Sequence, residues 1–184
     1  LTSPRRIMAQ GYNLDDAIRK VPDFPKKGIL FYDITSILMN PSAFGYCVDA
    51  MVKLYKGKTI AAVAAVESRG FLFAAPFAER MGLPLILVRK KGKLPGRTLA
   101  KSYALEYGQA EIEMHADDIP ENGRILIVDD LVATGGTLRA AADLLEEARA
   151  VPIGVFCVIG LPFLHYDETL RGLPIDTLIE YFGE

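Results

Sequence analysis

Cysteine and histidine are scarce, with two of each in 184 residues. Cys47 and Cys157 each sit among apolar neighbours and read as buried, reduced thiols, not as a disulfide framework. His115 and His165 carry no motif and read as surface or structural residues, so the chain has too few ligands for a zinc site. Charge of one sign is not in excess either. The 21 Lys and Arg against 23 Asp and Glu leave a net charge of −2, which argues against a dedicated nucleic-acid binder. No apolar run approaches the roughly 20 residues that a membrane-spanning helix needs, so no membrane association is expected. The basic pair Arg5-Arg6 has no apolar stretch behind it. A secretory signal is therefore not expected, and a cytoplasmic location is. Leu1 stands where a Met would start a chain, which leaves room for processing or truncation. Repeats, low-complexity segments and an interdomain linker are absent as well.

What the chain has is apolar residues, 51% of the total. At this length that composition predicts one domain over 1–184 with one sizeable core, and excludes disorder for most of the chain. Apolar runs that read as buried strands alternate with helical patterns, the signature of a parallel α/β sheet. Asn40 and Pro41 read as the cap and first turn of a helix whose apolar face runs from Phe44 to Tyr55 and which Gly57 stops. Ile60 to Val66, Leu85 to Val88, Ile125 to Val128, Ile153 to Ile159 and Thr177 to Tyr181 read as strands. Helices are expected from Gly70 to about Arg80, with Phe71, Phe73 and Phe77 in the core, and from Leu138 to Ala148. Ser102 to His115 alternates instead, which predicts an antiparallel pair with its turn near Gly108. Glu111, Glu113, Asp117 and Asp118 read as a solvated acidic edge.

The most informative stretch is Ile125-Leu-Ile-Val-Asp-Asp-Leu-Val-Ala-Thr-Gly-Gly-Thr137. Ligands in open α/β sheets bind beyond the carboxyl ends of strands, and here two carboxylates, Asp129 and Asp130, stand at such an end. The turn Ala133-Thr134-Gly135-Gly136-Thr137 then opens a helix. Glycines let backbone N–H groups approach an anion, and the helix terminus adds partial positive charge. One loop thus offers a phosphate cradle and acceptors for sugar hydroxyls, a match for a phosphorylated pentose. No Lys follows the second Gly, so this is not a triphosphate P-loop, and Gly-x-Gly-x-x-Gly is not matched. A helix terminus is worth roughly 0.3–1 kcal/mol to an anion, whereas micromolar binding needs about −8 kcal/mol. Cations must therefore converge from elsewhere. Arg69, in Glu67-Ser68-Arg69-Gly70 after a strand, is one source, unless Glu67 and Arg69 form only a surface pair. The other is the run from Arg89 to Lys101, with six basic residues and no acidic one. Gly92, Pro95 and Gly96 favour a mobile binding loop there over a merely solvated face.

Together these segments resemble the adenine phosphoribosyltransferases over nearly the whole chain. The acid-pair loop alone indicates the wider type I phosphoribosyltransferase group. The narrower match rests on Glu67-Ser68-Arg69-Gly70-Phe71, on Arg89-Lys-Lys-Gly-Lys-Leu-Pro-Gly96, on Tyr103-Ala-Leu-Glu-Tyr-Gly108 and on Gly28-Ile-Leu-Phe-Tyr-Asp-Ile-Thr35. The resemblance implies an open, mostly parallel twisted sheet flanked by helices, with a small N-terminal hood (1–35) and a basic loop and mobile β flap (89–115). It implies transfer of the phosphoribosyl group from 5-phosphoribosyl-1-pyrophosphate to adenine, giving AMP and pyrophosphate. Mg²⁺ is then required, carried by the pyrophosphate and ribose hydroxyls with no direct protein ligand, and the assembly is a homodimer.

By resemblance, Asp129 and Asp130 hold the ribose hydroxyls, with clamping favoured over catalytic carboxylate work, and Ala133 to Thr137 hold the 5-phosphate. Arg69 with Ser68 holds the pyrophosphate. Arg89 and Lys93 complete that site in their own or the partner subunit. Glu106 is the acid of the flap, able to exchange a proton with adenine, and Tyr107 closes over the reactants. Ile29, Leu30 and Phe31 contact the base. Tyr32 replaces an Arg common in the family at a position against the purine. A transferase for hypoxanthine, guanine or uracil, or a regulator that senses the sugar donor without turnover, are the alternatives. The residues before Pro22 are too few for the nucleic-acid-binding module such regulators carry.

Overall fold

The computed structural model describes residues 5–6, 12–105 and 108–183. In chain order the strands are β1 (Arg5–Arg6), β2 (Arg19–Pro22), β3 (Leu30–Asp33), β4 (Ala62–Val66), β5 (Leu85–Lys90), β6 (Thr98–Leu105), β7 (Gly108–His115), β8 (Arg124–Val132), β9 (Val151–Gly160) and β10 (Ile175–Glu180). The α-helices are α1 (Thr35–Leu38), α2 (Pro41–Tyr55), α3 (Gly70–Met81), α4 (Gly136–Glu147) and α5 (Tyr166–Thr169).

Among the described residues, eight strands join in the order β1-β10-β9-β8-β4-β5-β7-β6. Every pairing from β1 to β5 is parallel, and β5-β7 and β7-β6 are antiparallel. The expected open, mostly parallel sheet flanked by helices is present, and the alternating segment forms the β6-β7 pair. Part of the hood region is a separate β2-β3 hairpin in which Lys20 lies opposite Tyr32.

The central strands are apolar on both faces because both faces are covered. Leu126 and Val128 of β8, Val63 and Ala65 of β4 and Phe156 and Val158 of β9 enter one core with Phe73 and Phe77 of α3 and Met51 of α2. Their sequence neighbours Ile125, Ile127, Ala64, Val155 and Cys157 enter a second core with Leu138, Ala141 and Leu145 of α4. The two-residue period of a strand makes this division automatic. Both cysteines are buried and free.

One strand is longer than expected. Ile125 to Val128 reads as a strand that ends before the acids, yet β8 runs on to Val132. Its partner β9 continues alongside, with Asp129 opposite Cys157 and Leu131 opposite Ile159. The acids thus stand on ordered strand, not on a loop. The pairing of β4 with β8 ends four residues short of that end, at Ala65 opposite Val128. From β4 the chain crosses through α3 to β5 on one side, and from β8 through α4 to β9 on the other. The crevice between the carboxyl ends of β4 and β8 is therefore the switch point of the sheet, where α/β proteins place ligands.

The Asn40 side chain accepts from the Ala43 N–H at 3.1 Å, as expected of the cap of α2. Asn40→Ala should cost about 1 kcal/mol, a fall of about 2–4 °C in midpoint for a domain of this size. Thermal melts of the two proteins check this.

Candidate functional site

The switch-point crevice is a cleft of about 260 Å³. Its lining brings together Ser68, Arg69, Asp129, Asp130 and the whole Ala133–Thr137 loop, with Glu67. Three elements build it. β8 carries the acids, the segment between β4 and α3 carries Ser68 and Arg69, and the turn before α4 forms the cradle. Gly70 permits the first two to meet. A Cβ there would stand 2.9 Å from Asp129 Oδ1 and from the Val128 carbonyl. Gly135 has φ of +84° and lies before the first turn of α4, where no side chain caps the helix. The N–H groups that open α4 therefore face the cleft end with no capping side chain as competitor.

Asp130 is 4% exposed. Both it and Arg69 are expected at a solvent-facing sheet edge; Arg69 keeps that exposure, and Asp130 is buried beside it. Arg69 Nε lies 2.8 Å from Asp130 Oδ2. The approach is off-line, and this oxygen accepts no hydrogen bond among the described residues. Asp129 Oδ1 accepts from the Asp130 N–H at 2.8 Å. Burial, then the neighbouring Asp130 charge, pushes the Asp129 carboxyl well above the usual aspartate range. Burial raises Asp130 too, against the pull of Arg69. An acid pair with one member half-buried, the other buried, and an unfilled acceptor suits a ligand that brings hydroxyl donors and a cation.

Glu67 and Arg69 do not pair with each other. Glu67 accepts two bonds from Arg89, Nε to Oε2 and Nη2 to Oε1, both at 3.2 Å. These bonds hold the Glu67 carboxyl below its usual range, against burial and with help from the Lys90 N–H. Arg89 is thereby joined to the residue next to Ser68, although neither it nor Lys93 lines the cleft. Lys93 is exposed on the turn after β5. Glu106 and Tyr107 lie outside the described residues.

Ile29, Leu30, Phe31 and Tyr32 do not line the cleft. Ile29 is exposed, and Phe31 packs edge-on against Phe24 with ring centroids 5.0 Å apart. Tyr32 is expected against a purine, but its ring is buried and stacked on Tyr181 at 3.8 Å. Its hydroxyl donates to the Gly183 carbonyl at 3.4 Å. The hairpin alternation explains this: Tyr32 falls on the packed face, whereas Phe31 and Asp33 fall on the other. Asp33 lies on that other face too, and its carboxyl is lowered mainly by the Thr35 hydroxyl and also by the Arg19 and Arg69 charges.

Two residues acquire a place that the sequence did not show. Tyr103 on β6 accepts from the Thr137 hydroxyl at 3.0 Å, so the flap strand touches the cradle. Glu113 is buried, not part of a solvated edge, whereas Glu111, Asp117 and Asp118 are exposed as expected. Its outward position in the alternation is covered by the turn at 91–97, a contact that period-two patterning cannot show.

This fold and this cleft define a phosphoribosyltransferase, and the model of the phosphoribosyl transferase domain matches residues 33–169. An adenine phosphoribosyltransferase of Treponema denticola is 61% identical over 171 residues, 93% of this chain and 90% of that protein. Adenine phosphoribosyltransferase 3 of Arabidopsis thaliana is 47% identical over 92% of this chain and 93% of its own length. Among solved structures, the adenine phosphoribosyltransferase of Thermoanaerobacter pseudethanolicus has a TM-score of 0.87 and 44% identity, covering 92% of this chain and 100% of that one. The Saccharomyces cerevisiae adenine phosphoribosyltransferase, solved with an imino-altritol bisphosphate and adenine, has a TM-score of 0.85 and 36% identity, with 90% and 96% covered. The chain belongs to the adenine phosphoribosyltransferases.

Because both acid-pair carboxyls are raised, the folded chain keeps protons that the unfolded chain releases above about pH 4. The stability they contribute is fully present below that pH and is lost as pH rises through the folded-state values. Asp130→Asn should therefore melt at or above the parent temperature near neutrality, a difference that narrows toward about pH 4. Catalytic efficiency should fall about 10- to 150-fold, the worth of one charge-assisted hydrogen bond. Melts at both pH values, with assays of Asp130→Asn and Arg69→Ala, check this; normal turnover in either variant would place the pocket elsewhere.

Proposed function

We propose that this chain transfers the 5-phosphoribosyl group from 5-phosphoribosyl-1-pyrophosphate to adenine, releasing AMP and pyrophosphate, as a purine-salvage enzyme. One observation carries the reading. An acid pair with an unfilled oxygen, a helix-terminus cradle and an arginine converge on one cleft at the switch point of the sheet. The names of the relatives, and the adenine in the yeast structure, support adenine as the acceptor.

In this reading the ribose hydroxyls donate to Asp129 and Asp130. The 5-phosphate accepts from the backbone N–H groups of Ala133 to Thr137 and from the Thr134 and Thr137 hydroxyls. The diphosphate accepts from Arg69 and Ser68, then from Arg89 and Lys93. The pairing of Arg89 with Glu67 of its own chain favours action within its own subunit. The family's homodimer is part of the proposal. Ile29 and Phe31 face the base, and Leu30 and Tyr32, on the packed face, hold the hairpin behind them.

At the ribose end the available donors are carboxylate oxygens. Among the described residues no cluster of three or more such ligands could hold a metal by itself, which fits Mg²⁺, a hard ion that keeps water and phosphate ligands and so would enter with the sugar donor. When bound, Mg²⁺ neutralises charge on the departing diphosphate.

The chemistry is substitution at the anomeric carbon. The bond from C1 to the diphosphate oxygen breaks, and its electron pair leaves with the diphosphate. The bond from adenine N9 to C1 forms, and N9 loses its proton. The sugar passes through an oxocarbenium-like state, as in glycoside hydrolysis. The protein's part is to hold both reactants in line, stabilise the leaving group and exclude water. Glu106 is proposed to exchange the proton and Tyr107 to close the site, both by their place in the Leu-Glu-Tyr-Gly motif.

Adenine, the sugar donor and Mg²⁺ should yield AMP and pyrophosphate, followed by chromatography with hypoxanthine, guanine and uracil in competition. Preference for another base, or binding without turnover, would contradict the assignment. Glu106→Gln should lower kcat by about 10²–10⁴-fold, the usual worth of a general acid–base, with little change in KM for the donor. Equal loss in both would make Glu106 a binding or folding residue.

A further inference from the structure

Glu113 is a carboxylate with 2% exposure, and the scheme above gives it no part. It stands on β7 directly opposite Arg89 of β5. Its Oε1 accepts from the backbone N–H groups of Lys93 at 2.8 Å and Leu94 at 2.9 Å. Its Oε2 accepts from the Thr98 hydroxyl at 3.1 Å and lies 3.7 Å from Lys91 Nζ. A buried charge is costly unless it is hydrogen-bonded and paired, and here it is both. Burial alone would raise this carboxyl, but the Leu94, Lys93, Thr98 and Lys91 contacts together hold it below the usual range.

A turn between two strands needs no buried ion, since glycines close turns without one. What the ion does is fix the backbone of Lys93. The N–H of Lys93 goes to Glu113, and its carbonyl accepts from Arg89 Nη1 at 3.2 Å. Arg89 in turn grips Glu67, beside Ser68. A continuous chain of contacts therefore runs from Glu113 through Lys93 and Arg89 to the diphosphate-facing segment.

We infer that Glu113 is a positioning residue for the leaving diphosphate: its carboxylate folds the 90–97 turn so that Arg89 and Lys93 are set in place before the substrate arrives. This rests on the proposed contact of Arg89 and Lys93 with the diphosphate. Preset cations bind their anion without first losing loop entropy.

The test is steady-state kinetics in both directions on Glu113→Ala, Glu113→Gln and Lys93→Ala, with circular dichroism to confirm folding. Glu113→Ala should raise KM for the sugar donor, and KM for pyrophosphate in the reverse reaction, at least about tenfold. KM for adenine should stay within about twofold. Glu113→Gln keeps the Oε1 acceptor but loses the charge, so it should show a smaller rise of about threefold in the same two constants. If Glu113→Ala does not fold, the glutamine variant decides. Folded variants with parental KM for donor and pyrophosphate, beside a Lys93→Ala that raises both, would overturn the role of Glu113 and leave the diphosphate reading standing. Parental constants in Lys93→Ala would overturn that reading itself. An equal rise in KM for adenine would reduce Glu113 to general structural support.

Discussion

Everything at the cleft depends on holding two adjacent carboxylates at the end of a strand. Taking carboxyls away from water disfavours their charged form, and burial is the main cause that raises both Asp129 and Asp130, with the Asp130 charge adding to it at Asp129. The surroundings offset it only in part. Arg69 approaches Asp130 off-line, and the Asp130 N–H serves Asp129. A site that is poorly satisfied when empty and well satisfied by a ligand with hydroxyls and a cation is a binding site by construction, and the stability given up there is the counterpart of affinity.

The sheet supplies the rigidity this requires. Pairing with β9 carries β8 past the point where β4 ends, so the acids ride on ordered strand, and their neighbours Val128 and Val132 are buried. The glycine at 70 lets the start of α3 approach Asp129, and Gly135 adopts the left-handed conformation that turns β8 into α4. Two independent crossovers thus converge on one crevice, each bringing one half of the charge complement. The flap strand adds a link of its own through Tyr103 and Thr137.

Much of this was legible in the residues. The buried strands were visible because parallel strands covered on both faces read as continuous apolar runs, and the cap at Asn40 was visible because the bond it makes is local. The acid pair, cradle and Arg69 were visible because strand, acids, glycines and helix follow one another in the chain. Long-range partners were not. Whether Glu67 pairs with Arg69 or with Arg89 depends on which strands are neighbours. The burial of Glu113 depends on a turn folding back over it. Resemblance puts Tyr32 near the base; that one face of its ring stacks on Tyr181 depends on how the hairpin packs on the C-terminal segment, which chain order does not show.

The central claim is that the crevice between β4 and β8 grips a phosphorylated pentose by its hydroxyls and its 5-phosphate. Calorimetric titration of 5-phosphoribosyl-1-pyrophosphate with Mg²⁺, without adenine, tests it most directly. The account predicts saturable binding at one site per chain, with ribose 5-phosphate competing. Absence of saturable binding, or competition by inorganic phosphate as strong as that by the sugar phosphate, would contradict it.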